Sequence, residues 1–114
     1  MENNTFDRPW GYYVNVHEEP GFKLKKISVK PGKRLSLQSH EKRSEHWVIV
    51  SGEGKLIIND SEHIISVGDS IIINKEDIHR AECTSKTPLI IIETQLGDCD
   101  EEDITRLEDD WKRQ

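Results

Sequence analysis

Long hydrophobic runs are missing from this sequence. No apolar stretch approaches the roughly 20 residues that a membrane-crossing helix needs, so a membrane partner is not expected. Cysteine is scarce. Cys83 and Cys99 are the only two in the chain, enough for one bridge at most and without zinc-finger spacing. They are expected to be free thiols of a cytoplasmic protein. Positive charge is the minority sign: 16 Lys and Arg stand against 22 Asp and Glu, a formal net charge of −6. Such a balance excludes nonspecific binding to a phosphate backbone, which requires clustered positive charge, and nucleic acid is not an expected partner. The opening residues, Met1 to Asp7, are polar and acidic and do not read as a secretory leader. Repeats, low-complexity tracts and long linkers are also absent.

What is present is one domain, residues 1–114, with a core at about 8–97 and an acidic segment at 98–114. Hydrophobic and charged residues each make up 33% of the chain, so the core is lean. Helical periodicity is nearly absent before Gly97. Short β-branched runs recur instead: Tyr12–Val16, Phe22–Val29, Arg34–Gln38, His46–Val50, Lys55–Ile58, His63–Val67, Ser70–Ile73, His79–Cys83 and Leu89–Leu96. Pro20-Gly21, Pro31-Gly32, Gly52-Glu53-Gly54, Asn59-Asp60 and Gly68-Asp69 separate several of them and suit turns. This spacing predicts an all-β antiparallel sandwich or small barrel. After Gly97 eight acids fall between Asp98 and Asp110, leaving the rest of the chain close to neutral. Asp100 is expected to cap a short helix containing Ile104 and Leu107, with the acids forming a solvated face.

The stretch from Gly32 to Gly52 holds the first chemical constellation. If Arg34–His40 is extended, Ser36, Gln38 and His40 share a face, and a short turn then brings Glu45 beside them. Gly68 to His79 supplies a second histidine after a turn. Two imidazoles, a carboxylate and an amide oxygen suit a divalent metal such as zinc, iron, manganese or nickel. Unrelated surface histidines are the alternative.

These two stretches resemble the paired signature of the cupin superfamily. The first reads Gly32, five residues, Gln38, Ser39, His40, four residues, Glu45, six residues, Gly52. The second reads Gly68, five residues, Asn74, then Glu76 in the family's glycine place and His79 in its histidine place. The chain departs from the superfamily pattern at Gln38, Asn74, Glu76 and Cys83. Arg8-Pro9-Trp10-Gly11, Leu35-Ser36-Leu37-Gln38, Glu45-His46-Trp47, Ile92-Glu93-Thr94-Gln95-Leu96-Gly97 and Asp103 to Asp110 resemble more narrowly the cupin domain of type II phosphomannose isomerases. The tail Asp110-Trp111-Lys112-Arg113 departs from that family's usual ending.

The resemblance implies a cupin-type double-stranded β-helix, a jelly-roll barrel, with the short C-terminal helical segment appended. It implies that Gln38, His40, Glu45 and His79 bind a metal, zinc first, with iron, manganese, nickel or cobalt as alternatives. The implied function is interconversion of mannose 6-phosphate and fructose 6-phosphate through an enediol. The chain has no Gly-rich nucleotide motif, so guanylyltransferase activity is not expected. A non-catalytic sugar- or sugar-nucleotide-binding cupin and an iron dioxygenase are the competing readings. The expected base is Glu93, which points inward if it shares a face with Leu89, Ile91 and Gln95; an outward, exposed glutamate is the alternative. Lys25, in Lys23-Leu24-Lys25-Lys26, resembles a lysine the family places there; a solvated edge strand is its alternative. Arg43 and Arg106 are candidate phosphate partners, because a guanidinium binds phosphate bidentately, and Gln95 is a candidate substrate contact. The expected ligand is a small phosphorylated sugar, and the expected assembly is a homodimer that covers exposed strands.

Overall fold

The computed structural model describes residues 4–110, so Arg113 and its neighbours lie outside the described residues. The strands are β1 (Thr5–Arg8), β2 (Gly11–Glu19), β3 (Phe22–Val29), β4 (Leu37–Ser39), β5 (Arg43–Ser51), β6 (Glu53–Ile58), β7 (Ser61–Ser66), β8 (Ser70–Ile73), β9 (His79–Cys83), β10 (Leu89–Gly97) and β11 (Thr105–Glu108). They form a six-stranded sheet, β1-β2-β3-β10-β5-β8, and a five-stranded sheet, β11-β4-β9-β6-β7. Every pairing is antiparallel. The jelly-roll expectation holds, and the expected bounds of β3, β8 and β9 coincide with the observed ones.

Alternation explains the inner faces. Along β10, Leu89, Ile91, Glu93 and Gln95 are buried. Along β5, Arg43, Glu45, Trp47 and Ile49 are buried while His46, Val48 and Val50 are exposed. Along β3, Lys23, Lys25, Ile27 and Val29 are buried. The registers stack these residues in rows. Ile27, Ile91 and Ile49 form one row; Lys25, Glu93 and Trp47 form the next; Lys23, Gln95 and Glu45 form the third. The inner surface therefore changes from apolar to polar along the strands. Leu56, Ala81 and Cys83 of the second sheet and Leu35 complete the apolar half.

The expected helix after Asp100 is not formed. Asp100 does accept a hydrogen bond from the Glu102 amide at 2.9 Å, but this closes a turn. Thr105–Glu108 then pairs with β4 as β11. Strand pairing offers these residues backbone partners along a sheet edge, whereas one isolated helical turn is unfavourable to nucleate. Arg80 fastens the new strand through Glu108, at 3.1 Å. Gly97 permits the crossing from β10 into this segment. Its φ is +119°, and a Cβ there would lie 2.5 Å from the Lys42 carbonyl oxygen. Glu76, which occupies the family's glycine place, has φ 70°, the left-handed conformation that explains a glycine preference at that turn. Its amide donates to the His40 carbonyl at 2.7 Å.

Candidate metal centre and cavity

The polar half of the barrel opens into a cavity of about 220 Å³. His40 enters it from the end of β4, Glu45 from β5 and His79 from the start of β9. All three are buried, and their ligand atoms lie within 4.8 Å of one another. His40 Nδ1 donates to the Asp103 carbonyl at 2.6 Å, and His79 Nδ1 donates to the Asp77 carbonyl at 2.9 Å. Both rings thus turn Nε2 inward, 3.4 Å and 3.8 Å from the Glu45 carboxylate. An imidazole pinned through one nitrogen by a carbonyl, with the other presented as a lone pair, is the usual arrangement of a metal ligand. The donor set therefore fits a divalent metal. Gln38 stands opposite His79 in the β4–β9 register and lines the same cavity, with its amide nitrogen donating to Ser36 Oγ at 2.9 Å.

Electrostatics favour the ligating forms. Burial, reinforced by the Arg43 charge, lowers His40 to about 4, and burial likewise lowers His79. Neutral imidazoles are what a metal binds. Glu45 accepts from Arg43 Nε at 2.9 Å and from Trp47 Nε1 at 3.1 Å. Arg43 also donates through Nη2 to His40 Nε2 at 3.2 Å. The guanidinium is thus the counter-charge of the buried carboxylate, and it occupies the His40 Nε2 lone pair, which ligation of a metal by His40 requires it to release.

Glu93 is buried on the inner face of β10, as its alternation implied. Burial and the adjacent Glu45 push it up to about 7, against the pull of Lys25. Gln95 donates to Glu93 Oε2 at 2.7 Å. Gln95 itself is fully buried and is absent from the cavity wall, so it touches the carboxylate and not the open space. Lys25 is not on a solvated edge: β3 lies between β2 and β10, and Lys25 is buried. Its Nζ sits 4.3 Å above the Tyr13 ring and donates to Glu101 at 3.0 Å. Arg43 and Arg106 both line the cavity, Arg43 buried at its wall and Arg106 exposed on β11.

Four contributors escaped the sequence reading. Arg8 lines the cavity and lies 5.3 Å from the Tyr13 ring centroid, and Tyr13 lines it too. Glu101 also lines it and accepts from Lys23 at 2.6 Å. Asp103 binds the Glu41 and Lys42 amides at 3.0 and 2.9 Å. The last two fall among the acids that composition assigns to a solvated face. The available signal was the pair Lys23 and Lys25, two inward cations that require anionic partners.

The family described as "Mannose-6-phosphate isomerase C-terminal" matches residues 1–109. The chain belongs to this family. The alginate biosynthesis protein AlgA of Pseudomonas aeruginosa is 44% identical over 107 residues, which are 93% of this chain and 22% of that protein. Mannose-1-phosphate guanylyltransferase ManC of Salmonella typhimurium is 38% identical over the same shares. The chain thus spans under a quarter of the length of these relatives. Among solved structures, the capsular polysaccharide assembling protein CapF from Staphylococcus aureus superposes with TM-score 0.83 at 19% identity, covering 91% of this chain and 34% of that one. At that identity the likeness shows the fold alone, a cupin-type double-stranded β-helix.

Proposed function

We propose that this chain is a metal-dependent aldose–ketose isomerase that interconverts mannose 6-phosphate and fructose 6-phosphate in the cytoplasm, without guanylyltransferase activity. The observation that carries this reading is the meeting, in one cavity, of the His40–Glu45–His79 cluster with a buried carboxylate, Glu93, and a buried ammonium, Lys25. Family membership supports it.

His40, Glu45 and His79, with Gln38 as the fourth donor, would hold the metal, zinc in the first instance. Bound there, it would polarise the sugar's carbonyl. Glu93 takes the proton from C2 of the aldose and returns it to C1, while the hydroxyl proton passes from O2 to O1. A carboxyl group at about 7 is matched to both directions of that transfer. Gln95 holds the carboxylate in place through its 2.7 Å hydrogen bond. Lys25 supplies positive charge to the developing oxyanion. Arg8 and Arg106, at the cavity wall, bind the phosphate.

The chain acts as a homodimer in this reading. Val48 and Val50 on β5 and Ile72 on neighbouring β8 are 43%, 46% and 58% exposed on the outer face of the six-stranded sheet, and a second copy covers them isologously. Light scattering should give twice the chain mass, and Val48→Lys should halve it.

A coupled assay with mannose 6-phosphate, run with chelator and then with added zinc, iron, manganese, nickel or cobalt, tests the activity. Turnover restored by one of these metals is expected. Sugar-phosphate binding without turnover under every metal replaces the isomerase with a binding cupin, and oxygen uptake replaces it with a dioxygenase.

A further inference from the structure

The two histidines of the cluster are set in different ways. The partner of His79 Nδ1 is the Asp77 carbonyl, two residues away in the same turn. The partner of His40 Nδ1 is the Asp103 carbonyl, 63 residues further along the chain. Asp103 belongs to the segment that leaves β10 at Gly97, passes the cavity and ends in β11. This strap contributes no atom to the His40–Glu45–His79 cluster, yet its contacts fall on the cluster's neighbours. The Asp98 amide donates to the Lys42 carbonyl at 3.1 Å. The Asp103 carboxylate accepts from the Glu41 and Lys42 amides, in the turn that joins His40 to Glu45. Glu101 binds Lys25, and Arg106 lies opposite Gln38 in the β11–β4 register. Ile104 and Arg106 face the cavity.

We propose that the strap over residues 98 to 108 is coupled to metal occupancy, with Asp103 as the positioning residue for His40. The inference rests on the metal reading above. Docking of the strap orients His40 by fixing its Nδ1 and the turn behind it, so the docked strap raises metal affinity. Linkage is reciprocal: a bound metal must then hold the strap down, closing one wall of the cavity. Residue type fits this role. A carboxylate that receives two backbone amides fixes the local chain with charge-assisted hydrogen bonds, which an apolar side chain cannot replace.

The experiment uses the full chain and zinc as the probe. Zinc affinity is measured by competition with a chromophoric chelator for wild type, Asp103→Ala, Asp103→Asn, His40→Ala and His79→Ala. Hydrogen exchange of the strap and of the Glu41 and Lys42 amides is followed with and without zinc. Loss of a partner that orients a ligand typically costs about tenfold or more in metal affinity. Asp103→Ala keeps the main-chain carbonyl that His40 binds but loses the carboxylate that anchors it to the Glu41 and Lys42 amides, so it should bind zinc up to about tenfold more weakly, and Asp103→Asn, which keeps an acceptor for one amide, should recover part of the loss. Zinc should slow exchange across the strap in wild type. Affinity for Asp103→Ala within twofold of wild type, with strap exchange indifferent to zinc, overturns the coupling while His40→Ala and His79→Ala still abolish binding. Zinc binding that survives both histidine substitutions overturns the metal reading itself, and the coupling with it. If Asp103→Ala fails to fold, Asp103→Asn and the wild-type exchange decide the question.

Discussion

The two halves of the barrel interior are built on the same strands and obey opposite rules. In the apolar half, Ile27, Ile91 and Ile49 occupy one row across β3, β10 and β5, and any of them tolerates a change of partner at the cost of packing. Two residues further along the same strands, Lys25, Glu93 and Trp47 form a row in which two members are charged, and Lys23, Gln95 and Glu45 form another. Here each buried group needs a specific partner, because an unpaired charge in a dry interior is far more costly than a cavity. The apolar half therefore supplies stability that can be redistributed. The polar half supplies chemistry that cannot.

Substitutions can test how cleanly this division holds. The largest effect is expected for Glu93→Gln, which removes the proton acceptor but keeps the volume. Turnover should fall about a hundred- to ten-thousand-fold, with metal content by elemental analysis unchanged. A variant of near wild-type rate would remove Glu93 from the mechanism and leave it a structural carboxyl. Next comes Arg43→Ala, which leaves Glu45 buried without its counter-charge. Chemical denaturation with chelator present should show a loss of about 3–5 kcal/mol. Added zinc should restore part of it, since a metal also neutralises Glu45. Equal losses with and without zinc would separate Arg43 from the metal site.

Ile91→Ala probes the other half. It should cost about 2–5 kcal/mol in the same denaturation experiment while zinc affinity stays at the wild-type value. A parallel fall in affinity would show that the halves are not separable. The smallest effect is expected for Glu101→Gln. Burial pushes Glu101 up, yet the Lys25 charge and the hydrogen bonds from Lys23 and Lys25 hold its carboxyl at about 2, below its ordinary 4.5. A depressed carboxylate stabilises the fold fully above its unfolded value, and that contribution disappears as pH falls through the folded one. Wild type should melt a few degrees above Glu101→Gln at neutral pH, a difference of less than about 1 kcal/mol because the pair is partly exposed. The gap should be constant above pH 4.5 and close as the pH approaches 2. A gap that persists at low pH would assign the effect to packing and not to charge.

Much of the strand layout was legible in the sequence because period-two alternation and turn residues are local signals. The inward side of β10 could be read off Leu89, Ile91, Glu93 and Gln95, and the hairpin from His40 to Glu45 followed from the residues between them. The segment after Gly97 was not legible. Eight acids in thirteen positions look like solvated charge or the start of a helix. What makes Thr105–Glu108 a strand is the open edge of β4, and what draws Glu101 to Lys23 and Lys25 is the placement of β3 inside a sheet, which buries the two lysines. Both causes are long-range and leave no trace in the composition of the segment itself. Arg8 and Tyr13 were missed for the same reason: β1 and β2 reach the cavity only through the closure of the barrel.

The register of β10 depends on how the strand distinguishes its own two sides. Its outward residues Ile90, Ile92 and Leu96 are as apolar as its inward Leu89 and Ile91, so oiliness gives this strand little reason to face one way. A slip by one residue would exchange the faces completely. What such a slip would forfeit is the meeting of Glu93 with Lys25 and of Gln95 with Glu93, together with the only residue that fits beside the Lys42 carbonyl, Gly97. The groups assigned to chemistry thus also serve as the address of the strand, and a barrel stripped of them would keep its core composition while losing the instruction that says which way round to assemble it.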